Sequence, residues 1–289
     1  MVDTTAKPTP VAAVHTARVG CEQRLLAEDT FELTLDCPAV AAAIRPGQFV
    51  MFRDEQDSDP LLGRPFALYR TNGDHVSIAY HVIGKQTRRM TEWTAGQSVR
   101  IWGPLGNGFS EQSRGDRLLF VGGGIGYSPF PATAWAAVGH TSYGGRERER
   151  RFKSAELIYG ARTAALLADT SDFDADPGII VSFCTDDGSR GHHGRVTDLL
   201  ERRLASDGRP DRVLTCGPVP MMRAVADRCL AAGVACELSL ETPMACGFGA
   251  CYSCVVPVKD DAAPGGWDYR RSCVDGPVFS ADELVLAEM

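Results

Sequence analysis

The sequence predicts a mixed β plus α/β chain built of three units. These are a small antiparallel β-barrel, a doubly wound parallel-sheet domain of nucleotide-binding type, and a small C-terminal cysteine-rich unit. Three observations predict it. Short strands with alternating polarity fill the first hundred residues. Buried strands then alternate with helical stretches from Asp116 onward. After Gly233 the chain turns Gly- and Cys-rich.

The chain has 289 residues, and domains of ~150 residues are typical, so there is room for two full domains and a small third one. The expected divisions are a disordered tail at 1–10, the barrel at 11–112, the α/β domain at 113–235 and the cysteine-rich unit at 236–289. The opening "MVDTTAKPTP" is polar and lacks the apolar stretch of a signal peptide. No apolar run approaches the ~18 residues of a membrane span. A cytoplasmic location is therefore expected, where disulfides are rare. A net charge of -7 argues against nucleic acid or an anionic membrane as partner.

In the first unit, "EDTFELTLDCP" and "DHVSIAYHVIG" place apolar residues at every second position. Such residues share one face of a strand, because side chains alternate across the backbone. "RPGQ", "TNGD" and "TAGQ" supply the turns, and short strands at this spacing suit a small barrel. In the second unit the strands "DRLLFV", "AELIYGA", "GIIVSFCT" and "DRVLTCG" alternate with helical "FPATAWAAV", "VTDLLERRLA" and "VPMMRAVADRCLAAG". That order implies a parallel sheet with helices on both faces. "SYGGRERERRFKS" reads as a solvated charged loop rather than a binding element.

"FVGGGIGYSPF" follows a strand and opens a helix. Gly122, Gly123, Gly124 and Gly126 let the backbone approach a pyrophosphate, with Ser128 as the expected N-cap and Pro129 as the first helical residue. The strict G-x-G-x-x-G fingerprint is not met, because Tyr127 stands at its last glycine. A glycine-rich turn that binds nothing is the competing reading. "TCGPVPMM" adds a second strand end at the same sheet edge, where open α/β sheets take ligands, and places Cys216 and Gly217 beside a nicotinamide. Arg162 in "YGARTAAL" fits either a 2′-phosphate or the ribose edge. In the barrel, Arg64 of "GRPFALYR" suits a phosphate or the polar rim of a flavin, and equally a surface ion pair.

Cys246, Cys251 and Cys254 stand at C-x4-C-x2-C spacing, with Cys273 eighteen residues beyond. This is the plant-type [2Fe-2S] ligand spacing. Gly247 and Gly249 permit the close wrapping that brings N–H groups to sulfur. A zinc site usually pairs C-x2-4-C units, and only one C-x2-C is present. Cys21, Cys37, Cys184, Cys216, Cys229 and Cys236 are scattered and read mostly as small buried hydrophobes.

These signals occur together and in order. The stretches "GRPFAL", "VIGKQT", "GPLGNGF", "GGGIGYSP", "TDDGSRGHHGRVTDLL", "CGPVPMM", "ETPMACGFGACYSC" and "RSCVDGPVF" resemble the ferredoxin–NAD(P) reductase superfamily. Within it, the chain resembles the electron-transfer subunits of class 1B dihydroorotate dehydrogenases. The resemblance implies FAD in the barrel at Arg64, Pro65, Phe66 and Ala67, near Ala79, Tyr80 and His81, and at Gln86 and Thr87. It implies the cluster on Cys246, Cys251, Cys254 and Cys273, and NAD as the nicotinamide nucleotide. Two positions depart from the family pattern: Ala67 stands where serine is usual and Gln86 where glycine is usual.

A nicotinamide exchanges two electrons as hydride, a [2Fe-2S] cluster one at a time, and a flavin converts between them. The chain is therefore expected to be an oxidoreductase subunit with no catalytic acid–base pair of its own. The resemblance implies an FMN-containing dihydroorotate dehydrogenase catalytic subunit as partner, a heterotetramer, and a role in pyrimidine biosynthesis. Electrons would run from the partner's FMN through the cluster and FAD to NAD+. A related ferredoxin:NAD(P) oxidoreductase subunit is the alternative enzyme. There an aspartate replaces one cluster cysteine, whereas this chain has Cys246. A metal-stapled binding module is the non-enzyme alternative.

Overall fold

The computed structural model describes residues 13–21, 23–54 and 59–289. The expected tail at 1–10 lies outside the described residues.

Eight strands form one antiparallel sheet. Arg64–Ala67 lies at one edge and Arg70–Asn72 at the other. Only Leu68 and Tyr69 separate these edge strands in sequence. Their N–H groups bond to Gln48 O (3.0 Å) and Ser77 O (2.9 Å), which curls the sheet toward closure. The expected alternation holds. Leu33 and Leu35 of Thr30–Asp36, and Val76, Ile78 and Tyr80 of His75–His81, all point into one core.

The second sheet has seven strands, centred on Gly115–Gly123. Phe152–Ala161, then Ile179–Thr185, pair in parallel on one side. Arg212–Cys216, then Ala235–Ser239, pair in parallel on the other. The central strand is buried on both faces: Leu118 and Phe120 join one core layer, Leu119 and Val121 the other. This explains why "DRLLFV" is a continuous apolar run and not an alternating one. Helix Phe130–Ala137 covers the first layer; Val196–Leu204 and Val219–Ala232 cover the second. The chain is thus doubly wound, and its direction of winding switches at the central strand.

Ser128 does not cap a helix. A 3-10 turn, Gly124–Tyr127, intervenes after the glycines, and the helix starts at Phe130 without a side-chain cap. The C-terminal unit contributes the two-stranded ribbon Val255–Lys259 and Trp267–Arg271. Its strand Val278–Ser280 pairs antiparallel with Ala235–Ser239 and so extends the seven-stranded sheet. The expected division at 235/236 runs through that strand.

A buried polar clasp joins barrel and α/β layers. The Tyr69 hydroxyl donates to Asp172 Oδ2 at 2.5 Å, and the Arg24 guanidinium reaches the same carboxylate. Arg70 Nε donates to the buried Glu32 at 2.7 Å. Removing one partner from such a group costs about 3–5 kcal/mol, because the other charge is left buried and uncompensated. Among the described residues, no helix is long and apolar enough to cross a membrane.

Candidate functional site

The carboxyl ends of the parallel strands open into a cleft of about 600 Å³. Gly123 and Gly124 line it, with Arg162, Asp186, Arg195 and Met221 around them. Gly124 has φ +56° and open space where a Cβ would stand. Gly122 and Gly126 do another job. A Cβ on Gly126 would lie 2.4 Å from Cys216 O, so this glycine lets the turn pack on the Cys216–Gly217 backbone. Gly122 sits against Tyr127 and Phe130, and Gly217 (φ +146°) against Gly123. Arg162, which the sequence offers as a nucleotide contact, lines the cleft; Asp186 and Arg195 fall in "TDDGSRGHHGRVTDLL", a stretch of the family resemblance that carried no assigned role.

A second cleft, about 560 Å³, runs along the barrel edge. Arg64, Pro65, Phe66 and Ala67 line it, as do Ala79, Tyr80, His81, Gln86 and Thr87. Cys216 faces this cleft and not the first one. Arg64 spends part of its guanidinium on Leu62 O (2.9 Å) and Gly63 O (3.1 Å). The Thr87 hydroxyl accepts from the N–H groups of Ile83 (3.0 Å) and Gly84 (3.1 Å), which fixes the "GKQT" turn. Gln86 is 3% exposed, and neither its Oε1 nor its Nε2 has a protein partner. A buried amide without partners is costly, so the wall suits a polar ligand. Glu241 also faces the open cleft; the surrounding wall desolvates its carboxyl and raises its pKa.

The clefts meet. His81 and Ile125 line both, and His81 Nδ1 lies 2.9 Å from the Thr30 hydroxyl. The segment Glu241–Met244 forms the far wall of the second cleft, and Cys246 follows two residues later.

The four motif cysteines come together as two pairs. Cys254 and Cys273 share a buried apolar nest with Phe49, Met51 and Leu105. Burial, then the neighbouring Cys254, pushes the Cys273 thiol up to about 12. Cys251 is exposed, and the Ser253 hydroxyl, the Ser253 N–H and Cys246 hold its thiol down at about 6. Among the described residues, no three His, Cys, Asp or Glu side chains converge on a point that would hold a single ion. A mononuclear zinc site needs four donors around one centre; two adjacent thiol pairs suit two irons. The loop is held by the barrel. Trp102 Nε1 donates to Cys246 O at 2.9 Å, and a Cβ on Gly247 would meet Met51 Cγ at 2.6 Å. Asn107 Nδ2 donates to Val278 O (2.7 Å) and Asp275 O (3.1 Å). Trp102 and Asn107 were missed as supports of the loop; "GPLGNGF" carried the family resemblance and turn signals, neither of which points to the cysteine loop. Of the other cysteines, Cys37, Cys184, Cys216, Cys229 and Cys236 are buried as expected, and Cys21 is exposed.

A closing barrel, a glycine-turn cleft on a doubly wound sheet and a four-thiol loop define an oxidoreductase of the ferredoxin-reductase type. Residues 120–227 match the oxidoreductase NAD-binding domain. Residues 241–285 match the iron-sulfur cluster binding domain of dihydroorotate dehydrogenase B. The dihydroorotate dehydrogenase B (NAD(+)) electron transfer subunit of Bacillus caldolyticus is 39% identical over 272 residues, covering 91% of this chain and 96% of that protein. The same subunit of Caldanaerobacter subterraneus is 33% identical over 270 residues, covering 93% and 98%. Among solved structures, the NADH-dependent reduced ferredoxin–NADP oxidoreductase superposes with a TM-score of 0.76 at 28% identity, covering 94% of this chain and 90% of that one. The ferredoxin reductase of carbazole 1,9a-dioxygenase shares the fold, with a TM-score of 0.65 at 24% identity and coverage of 78% and 68%. This chain belongs to the dihydroorotate dehydrogenase B electron transfer subunit family. It is an oxidoreductase subunit whose cofactors are FAD, a [2Fe-2S] cluster and NAD.

Proposed function

We propose that the chain passes electrons in series from an FMN-containing dihydroorotate dehydrogenase catalytic subunit to NAD+, in the cytoplasm and within a heterotetramer. The observation that carries this reading is the linear order of the three sites. The nucleotide cleft abuts the barrel cleft at His81 and Ile125, and the barrel cleft ends at the segment that leads into Cys246. When bound, the cluster carries single electrons and the flavin exchanges them with the two-electron nicotinamide couple.

The residues divide the work as follows. Cys246, Cys251, Cys254 and Cys273 hold the cluster. Burial of the Cys254–Cys273 pair keeps water from its inner side, while Cys251 faces outward. Arg64 to Ala67, Ala79 to His81, Gln86 and Thr87 hold FAD. The Gln86 amide gives the ligand a donor and an acceptor that a glycine there would lack. Ala67 offers no side-chain hydroxyl, so its side chain contributes shape and leaves hydrogen bonding to the backbone. Gly123 and Gly124 admit the nucleotide's pyrophosphate, and Gly122, Gly126 and Gly217 hold the turn that presents it. The barrel supplies most of the flavin site, the α/β unit the nucleotide cleft and the C-terminal unit the cluster ligands, with Cys216 and Glu241 to Met244 completing the flavin wall.

Docking of the partner is assigned to the rim of the cysteine loop. Phe248 and Tyr252 are 59% and 63% exposed there. Tyr252 has φ +58°, a conformation that costs a bulky side chain strain and persists where the surroundings impose it. Exposed aromatics around a buried redox centre suit a protein interface. The isolated chain should reduce artificial acceptors with NADH and form no orotate. Adding the FMN-bearing partner should restore NAD-linked orotate formation, and Tyr252→Asp should weaken the complex about tenfold or more with cluster absorbance intact. Orotate from the isolated chain, or an unchanged affinity in the variant, would overturn the reading.

A further inference from the structure

Both clefts described above open at the carboxyl ends of the parallel strands. A third pocket, about 440 Å³, lies at the opposite end of the same sheet, in the size range of about 300–1,000 Å³ usual for small-molecule sites. Its floor is apolar and includes Phe109, Leu118, Phe152 and Leu214. Its rim is formed by the charged loop after Tyr143 and by the segment that links barrel to sheet. Five arginines and three glutamates line it, on a chain whose net charge is -7. The loop is therefore not merely solvated, as its composition suggests; it folds over a cavity.

A self-neutralising ion-pair cluster would leave no arginine over. Three of the five fit that description. Arg114 makes a forked pair with Glu149 (2.9 and 2.7 Å), Arg146 pairs with Glu111, and Arg212 pairs with Glu237 at 2.6 Å. Arg151 does not. It is half-buried, its side chain bonds only to Ser110 O at 3.3 Å, and no described carboxylate forms an ion pair with it. Burial, and next the Arg114 charge, lower its pKa. Arg148, exposed at the same rim, has no hydrogen bond or ion pair among the described residues. Glu149 and Glu237 favour the Arg151 charge from a distance without pairing with it, and a half-desolvated guanidinium with no anion in contact is unfavourable until one meets it. The planar guanidinium fork matches phosphate oxygens in particular.

We propose that this pocket binds an organic phosphate monoester of about nucleoside-monophosphate size. Its ring lies on the Phe109–Leu118–Leu214 floor, and its phosphate sits between Arg151 and Arg148. Five arginines against Glu111, Glu147, Glu149 and Glu237 leave the pocket net positive, and two guanidiniums without a paired carboxylate suit the several oxygens of a phosphate monoester better than a single carboxylate. The apolar floor requires an organic body, so inorganic phosphate alone should hold weakly. Both the barrel's last loop and the sheet contribute walls, so a ligand here ties the two units together and should raise the melting temperature.

The test is calorimetric titration and thermal melting of the cofactor-loaded chain with UMP and AMP. Uridine, adenosine and inorganic phosphate serve as comparators, each run with and without saturating NAD+. The monophosphates should bind at least about tenfold more tightly than the comparators, equivalent to one strong charge-assisted contact. NAD+ should not displace them. Arg151→Ala should weaken binding about tenfold or more while flavin content and NADH reduction stay unchanged, and Arg151→Lys should recover only part of it. Arg148→Ala, at an exposed position, should weaken it as well and serves if Arg151→Ala does not fold. Absence of binding at millimolar monophosphate, displacement by NAD+, or wild-type affinity in the arginine variants would each overturn the proposal.

Discussion

The cysteine loop and the glycine loop are both short, glycine-rich and placed at the working edge of the molecule, yet they carry function in opposite ways. In the cysteine loop the side chains are the donors. Type and spacing therefore state the chemistry, and the structure sets the named thiols in two pairs, Cys254 with Cys273 and Cys251 with Cys246. In the glycine loop the function is carried by side chains that are missing. Four glycines look alike in sequence and do different work in three dimensions. Gly124 leaves room in the cleft, whereas Gly126 lets one backbone lie on another.

The largest expected effect lies in the cysteine loop. Cys273→Ser removes a donor from the buried pair, and the cluster's EPR signal and iron content should be lost or grossly altered. Cys229→Ser, equally buried but packed in the helix layer beside Cys236, should leave both untouched. An unaltered EPR signal from the Cys273 variant would remove the contrast between ligand cysteines and core cysteines.

The same contrast explains what could be read before any coordinates. The barrel was legible because polarity alternates in Thr30–Asp36 and His75–His81. The doubly wound sheet was legible because "DRLLFV" has to be apolar on both faces. Ser128 was misread because a 3-10 turn, which has no hydrophobic signature of its own, separates the glycines from the helix. The pairing of Val278–Ser280 with Ala235–Ser239 is a long-range event that no local pattern encodes. Gln86 shows the limit most clearly. The resemblance places it at the flavin and marks it as a departure from the usual glycine, and burial without a protein partner is what the structure adds. The loop of Arg146 to Arg151 was similarly opaque, because only distances separate its paired arginines, Arg146 and Arg150, from Arg148 and Arg151, which form no ion pair among the described residues.

Next in size is Gly126→Val. The added Cβ would lie 2.4 Å from Cys216 O, 2.5 Å from Cys216 C and 2.6 Å from Gly217 Cα. Backbone on both sides cannot yield as a flexible side chain would. A loss of about 3 kcal/mol is expected, which lowers the melting temperature by about 6 °C in a chain of this size. NADH reduction of the flavin should fall with it, since the Cys216 strand end shifts. A melting temperature within about 2 °C of wild type would show that the turn does not pack on that strand as described.

Gly124→Ala should have the smallest effect, and it sharpens the comparison most. Nothing stands within 4 Å of the position its Cβ would take, so no clash is expected. The backbone at φ +56° is the only conformational penalty, about 1 kcal/mol for a residue with a Cβ. That is a melting shift of roughly 2–4 °C. The methyl group would project into the cleft that Gly124 lines, where a pyrophosphate needs bare backbone. The variant should therefore fold, keep its cluster and flavin, and bind NADH several-fold more weakly, measured by the NADH concentration that half-saturates flavin reduction. The two glycines would then separate cleanly: Gly126 variants lose stability first and nucleotide binding as a consequence, whereas Gly124 variants lose nucleotide binding with stability nearly intact. Equal losses of stability in the two, or an unchanged NADH dependence in Gly124→Ala, would mean that the turn works as one packing element and that the nucleotide is held elsewhere along the cleft.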